Sequence, residues 1–160
     1  MRDDEFEQLY AEHAEGLLGF IAYRTGDRAL AEDLLADTFE RVLTARRGFD
    51  RRRGSQKTWV YSIALNRLRD HFRRRDAEQR AVERAHPIDD RADSLDHVGT
   101  RSDVMAALTQ LSAEEREAIA LRYGADMTVP EIARITGEPL TTVEGRVYRA
   151  LRKLRGILGD

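Results

Sequence analysis

Between Arg46 and Tyr61 the chain gathers six cationic side chains, Arg46, Arg47, Arg51, Arg52, Arg53 and Lys57, around a Gly-Ser pair, and places Trp59, its only tryptophan, at the far end. Cations that follow a phosphate backbone, with aromatic rings on which unpaired bases can stack, are what single-stranded nucleic acid requires of a protein. Phe49, Trp59 and Tyr61 supply the rings, and Asn66, Arg67, Arg69, Arg73, Arg74 and Arg75 continue the polar and positive surface. Trp59 can equally be a core residue, and the sequence leaves both roles open. A second cationic group, Arg146, Arg149 and Lys153, recurs at helical spacing near the C-terminus.

Other chemistries find little support. The four histidines, His13, His71, His86 and His97, show no HExxH or other metal-ligand spacing, and neither a GxSxG elbow nor a glycine-rich phosphate loop occurs. His13 falls on an apolar helix face and reads as a core histidine. No catalytic residue, metal site or cofactor is expected, and the chain is not expected to be an enzyme. The absence of cysteine excludes disulfide frameworks and thiolate zinc sites. No apolar run approaches the roughly 20 residues of a membrane span, and the acidic N-terminus lacks a signal-peptide pattern. A soluble cytoplasmic protein without membrane insertion is expected.

The formal net charge of −2 would ordinarily count against a nucleic-acid binder. Its distribution reverses that reading. Acids crowd the first fifteen residues and the middle of the chain, while bases cluster at Arg46–Lys57, Arg67–Arg75 and Arg146–Arg155. Segregation of this kind points to one face for nucleic acid and others for a different partner.

These residues need elements to position them, and the apolar periodicity supplies helices throughout. Phe6, Leu9, Tyr10, His13, Leu17, Phe20 and Ile21 recur at three- and four-residue steps, predicting a helix from about Asp3 to Arg24 that Thr25-Gly26-Asp27 stops. Ala31, Leu34, Leu35, Thr38 and Val42, widened by Phe39 and Leu43, predict a second helix ending near Arg47-Gly48. A third opens at Ser55, buries Trp59, Ile63, Ala64, Leu68 and Phe72, and ends in Arg73-Arg74-Arg75. Acid-rich, apolar-poor residues 76–101 read as a flexible linker. Beyond it Val104, Ala107, Leu108 and Leu111 form a short helix, and Ser112-Ala-Glu-Glu115 has capping-box form. The fold class is therefore all-α, with two small helical domains, 1–75 and 102–160.

The most specific pattern is TVPEIARITGEPLTTVEGRVYRALRKLR, from Thr128 to Arg155. Thr128 and Glu131 form a capping box with Pro130 in the first turn, and Gly137 permits a tight turn into a second helix beginning between Pro139 and Thr141. Val143, Val147, Leu151, Leu154 and Leu158 form its back, while Thr142, Arg146, Arg149 and Lys153 point away. This is a helix-turn-helix, whose second helix enters the major groove and whose arginines can read guanine. Glu144 is out of keeping there. It either closes a capping box with Thr141 or accepts from a cytosine amino group, and capping is the simpler role.

With these motifs in place the chain resembles the extracytoplasmic-function sigma factors of the sigma-70 family. LYAEHAEGLLGFIAYRTGDRALAEDLLADTFERVL and TWVYSIALNRLRDHFRRR resemble the family's promoter-melting domain, and LSAEEREAIALRYGADMTVPEIARITGEPLTTVEGRVYRALRKLR its C-terminal domain. The resemblance implies that Asp33, Asp37, Glu40 and Arg41 dock on the beta-prime coiled-coil clamp of core RNA polymerase, with further contact to the beta flap. It implies that Phe49, Arg51, Arg52, Arg53, Ser55 and Lys57, with Asn66, Arg67, Asp70, Arg73 and Arg74, handle the melted minus-ten strand. Thr141, Thr142, Glu144, Arg146, Arg149 and Lys153 correspond to the reader of the duplex minus-thirty-five element, although Glu144-Gly145 stands where the family commonly has Lys-Ser. It further implies promoter DNA and an anti-sigma factor as partners and a monomer when free. The alternative is a stand-alone helix-turn-helix regulator, which would pair with a second copy to match paired half-sites.

Overall fold

The computed structural model describes residues 1–85 and 103–159, and the described residues are helical, with no strand among them. Helix α1 (Asp3–Thr25) carries three acids in its first turn, where they oppose the helix dipole, and the Glu5 carboxylate accepts from the Arg2 N–H at 2.9 Å. Gly26 closes it in the left-handed region at φ 71°. Asp27 then caps α2 (Arg28–Ala45) by accepting from the Leu30 N–H. A 3₁₀ turn over Arg46–Gly48 leads into the basic loop, and the Ser55 hydroxyl, accepting from the Thr58 N–H at 3.1 Å, opens α3 (Gln56–Ala85).

Helix α3 does not stop at Arg73-Arg74-Arg75. It continues ten residues to Ala85, because eight of the ten residues of DAEQRAVERA are strong helix formers and none is glycine or proline. The acidic composition that reads as linker is compatible with a solvated helix. Residues 86–101 of that expected linker lie outside the described residues.

The three helices bury Leu9, Leu17, Phe20 and Ile21 from α1, Ala31, Leu34, Phe39 and Val42 from α2, and Val60, Tyr61, Ala64, Leu65 and Leu68 from α3. Two expectations are corrected. Leu43 stands 43 % exposed on the outer side of α2 instead of widening its buried stripe. Tyr61 is core, packed edge-on against Phe20 with its hydroxyl pushed up to about 12 by burial, so its ring is unavailable for stacking on a base.

The C-terminal module comprises α4 (Asp103–Leu108), α5 (Ala113–Ile119) with a π-helical turn over Ala120–Gly124, α6 (Val129–Thr136) and α7 (Leu140–Leu158). The side chain of Val104 lies outside the described residues. Ser112 and Glu115 form the expected capping box at the start of α5. Glu115 is also buried, and Lys153 of α7 reaches its Oε1 at 2.8 Å, tying the two ends of the module together.

The two modules pack against each other. The Glu117 carboxylate lies between the guanidinium groups of Arg24, at 3.8 Å, and Arg69, at 3.3 Å. Arg24 is almost wholly enclosed, with Phe72 beneath its guanidinium. Lys57 donates to the Asp126 carbonyl at 3.1 Å and Arg134 to the Arg53 carbonyl at 3.0 Å. Every one of these hydrogen bonds or ion pairs joins the N-terminal three helices to the C-terminal module.

The Glu115 carboxyl is held below its usual range, chiefly by the Lys153 hydrogen bond and then by the Ser112 N–H. A depressed carboxyl stabilises the folded state above the unfolded value and loses that contribution as pH falls through the folded one. Lys153→Met should therefore lower stability at pH 7 by about 1 kcal/mol, the half-exposed lysine limiting the effect, or roughly 4–8 °C in the melting of a module this size. The gap between variant and wild type, followed by thermal unfolding across pH, should narrow below the ordinary carboxylate range.

Candidate nucleic-acid interface

The N-terminal surface is built by a loop too short to wander. Asp50 accepts from the Arg52 N–H at 3.0 Å and its carbonyl from the Arg53 N–H at 3.0 Å, folding Asp50–Arg53 into a turn that fans Arg51, Arg52 and Arg53 outward. Gly54 follows where a Cβ would come within 2.9 Å of the Thr58 hydroxyl. Phe49 lies against Trp59, ring centroids 5.1 Å apart, and both are only half-buried. Trp59 thus borders the core and the loop at once. A recess of about 410 Å³ opens between these rings, the loop and Ser62, and Arg134 and Ile135 of α6 form its opposite wall. Its volume lies in the range of pockets that hold small organic groups.

Along α3 the bases divide. Arg67 is mostly enclosed and grips Asp37 through two nitrogens, at 2.9 and 3.1 Å. Asp70 is shared by Arg73 and, at 3.4 Å, Arg41, and these contacts hold its carboxyl below the usual range, Arg73's hydrogen bond most strongly. Arg69 is occupied with Glu117. Asn66 and Arg74 stand exposed. On the outer side of α2, Asp33 and Glu40 are exposed beside Leu43, whereas Asp37 and Arg41 are tied to α3.

The C-terminal surface follows from α6, its turn and α7. Thr128 and Glu131 cap α6 reciprocally, and Gly137, at φ 72°, turns the chain with its N–H on the Ala133 carbonyl. Helix α7 begins after Pro139, whose carbonyl accepts from the N–H groups of Thr142 and Val143. Val143, Val147 and Ala150 are buried, and Leu151 and Leu154 pack beside them. Leu158, expected on that inner face, is 41 % exposed because the helix has outrun the module. Thr141, Glu144, Tyr148, Arg149 and Arg152 face outward. Thr142 is half-buried, Arg146 turns sideways to Glu138 at 2.5 Å, and Lys153 is engaged by Glu115.

Residues 9–78 match the model for sigma-70 region 2, and residues 101–154 match that for sigma-70 region 4. The RNA polymerase sigma factor CarQ of Myxococcus xanthus is 34 % identical over 161 residues, which cover 98 % of this chain and 91 % of that protein. The chain belongs to the extracytoplasmic-function sigma factors of the sigma-70 family. The ECF RNA polymerase sigma factor BldN of Streptomyces coelicolor is 30 % identical over 98 % of this chain, which spans 61 % of that relative's length. Among solved structures, the sigma factor RpoE in complex with the anti-sigma factor NepR from Bartonella quintana superposes with a TM-score of 0.80 at 26 % identity, covering 98 % of both chains.

Within this sigma factor the basic loop and α7 lie on separate modules, and the α6 side of region 4 sits over the loop of region 2. Two exposed residues of α7 fall outside the set expected from sequence, Tyr148, 64 % exposed, and Arg152. Their signal is positional, since residues 144, 148 and 152 form one stripe at four-residue steps. No cluster of three or more metal-ligating side chains occurs among the described residues, and no described helix is long and apolar enough to cross a membrane.

Arg146 and Arg149 should separate experimentally. Arg146→Ala strands the Glu138 carboxylate and should lower the stability of region 4 by about 1–3 kcal/mol, whereas Arg149→Ala, an exposed change, should stay within about 0.5 kcal/mol of wild type. Thermal unfolding of the full chain measures both.

Proposed function

We propose that this sigma factor binds core RNA polymerase, directs it to specific promoters and helps to open the DNA. Support comes from one arrangement above all, the division of exposed bases between an aromatic-lined loop and a groove-sized helix on two modules in the region 2 and region 4 order. Region 2 has no place in the alternative of a stand-alone helix-turn-helix regulator.

Thr141, Glu144 and Arg149 face the duplex minus-thirty-five element, with Thr142, Arg146 and Lys153 behind them setting the helix at its angle. Arg51, Arg52 and Arg53 follow the melted minus-ten strand, assisted by Ser55, Lys57, Asn66 and Arg74. Arg67, through Asp37, and Asp70, through Arg41, hold α3 in register with α2, and Arg73 steadies Asp70 from the same helix. A flipped base enters the recess between Phe49 and Trp59. Extruding a base costs a few kcal/mol and stacking returns roughly 1–3 per base, so capture is close to balanced and polymerase contacts must tip it. Asp33 and Glu40, with Leu43 one turn beyond Glu40, offer the docking face for the beta-prime clamp, and region 4 meets the beta flap. The site of action is the cytoplasm.

The packed modules cannot serve both elements together. Elements about 25 base pairs apart are separated by ~85 Å along a duplex, and Arg134 and Ile135 wall the recess while the modules are closed. Promoter binding therefore requires their separation. RpoE is captured with NepR and CnrH with the cytosolic domain of CnrY, and a small anti-sigma protein engaging both modules is the corresponding partner here.

Run-off transcription with core polymerase on genomic fragments tests this reading. Promoter-specific transcripts should appear only with the protein and fall at least tenfold with Arg149→Ala, in line with the loss of one bidentate base contact. Replacing Arg51, Arg52 and Arg53 together by Ala should leave polymerase binding intact and reduce permanganate-reactive thymines at the start site. The Arg53 carbonyl, which receives Arg134, survives that change. Transcription independent of the protein would refute the assignment.

A further inference from the structure

Glu144 does not cap α7. The N-cap is Pro139, no side chain caps the helix, and the Thr142 and Val143 N–H groups already bond to the Pro139 carbonyl. The carboxylate is exposed, and no hydrogen bond or ion pair reaches it from any described residue. Helix geometry explains why. The positions three and four residues away are Leu140, Thr141, Val147 and Tyr148, none of them cationic. Arg149, the nearest exposed arginine on the same helix, folds back over Gly145 instead, where a Cβ would meet its Nη1 at 3.0 Å. The glycine is the seat of that guanidinium. The outward face of α7 thus presents an acceptor-only group at Glu144 and a donor-only group at Arg149, flanked by the exposed Tyr148 ring.

A free carboxylate on a groove-facing helix repels phosphates, so any favourable contact must be with a base edge. In the major groove guanine offers N7 and O6, both acceptors, and thymine offers O4 and a methyl group. Cytosine offers the N4 amino group with no neighbouring acceptor on the same base, whereas adenine sets its N6 amino group beside N7. Cytosine is therefore the base a carboxylate accepts from with least opposition.

Building on the sigma-factor reading above, we propose that Glu144 is a specificity-determining residue that selects cytosine at one position of the minus-thirty-five element and rejects guanine and thymine there. The selected base differs from the one a lysine at this position would favour, so this chain discriminates against promoters read by relatives with a basic residue at that point.

The test is holoenzyme transcription from a promoter library carrying all four base pairs at every minus-thirty-five position, for wild type, Glu144→Gln, Glu144→Lys and Glu144→Ala. Wild type should show one position with a roughly tenfold preference for cytosine. At that position Glu144→Gln should move the preference to adenine, Glu144→Lys to guanine, and Glu144→Ala should flatten it, with the other positions unaltered. Identical base profiles in wild type and all three variants, with transcription retained, would overturn the inference and leave the sigma-factor reading standing. Absence of promoter-directed transcripts from wild type would overturn both.

Discussion

A guanidinium already held by a carboxylate is poorly placed to hold a phosphate, and competition between internal acids and DNA for arginine organises this molecule. Arg67 is taken by Asp37, Arg41 and Arg73 by Asp70, Arg24 and Arg69 by Glu117, and Arg146 by Glu138. These pairs stitch helices together, most of them in half-buried settings where breaking one partner leaves an uncompensated charge. Among the exposed cations that no carboxylate holds are Arg53 in the loop, Arg74 on α3, and Arg149 and Arg152 on α7, while Arg51 and Arg52 are engaged only at the surface, by Glu5 at 3.9 Å and Asp50 at 3.4 Å. A chain of net charge −2 can in this way carry two positive surfaces.

Much of this was legible in the sequence, and the reasons are local. Caps, apolar periods and the Thr128–Gly137 pattern act over a few residues, so α1, α2, α6 and the turn into α7 lie within a residue or two of expectation. Misplaced features depend on composition or on distant partners. DAEQRAVERA looks like a linker because it lacks apolar residues, yet helix propensity and its own side-chain pairs, such as Gln79 with Glu83, carry α3 through it. Tyr61 sits beside the loop aromatics in sequence yet turns inward, and Leu43 has the spacing of the α2 stripe yet turns out. The pairing of Arg146 with Glu138 needs the turn geometry, which no spacing rule encodes. Glu144 has the spacing of a cap, but Pro139 occupies the N-cap position.

The interface between regions 2 and 4 belongs wholly to the category that sequence does not reveal. Its polar links are few: a largely enclosed carboxylate between two arginines, and two exposed hydrogen bonds from side chains to carbonyls. Polar contacts between domains of one chain are the sort that separate readily. They nevertheless lie across the basic loop, so the groups that close the free protein are the ones the proposed function needs open.

The distance between the two modules tests this account most directly. The chain contains no cysteine, so Gln8→Cys in α1 and Ile157→Cys in α7, both exposed positions, give a clean pair of dye sites for energy transfer. The account predicts high transfer in the free protein and a marked fall when core polymerase and promoter DNA are added together. Equal transfer in the two states, or low transfer in the free protein, would contradict it.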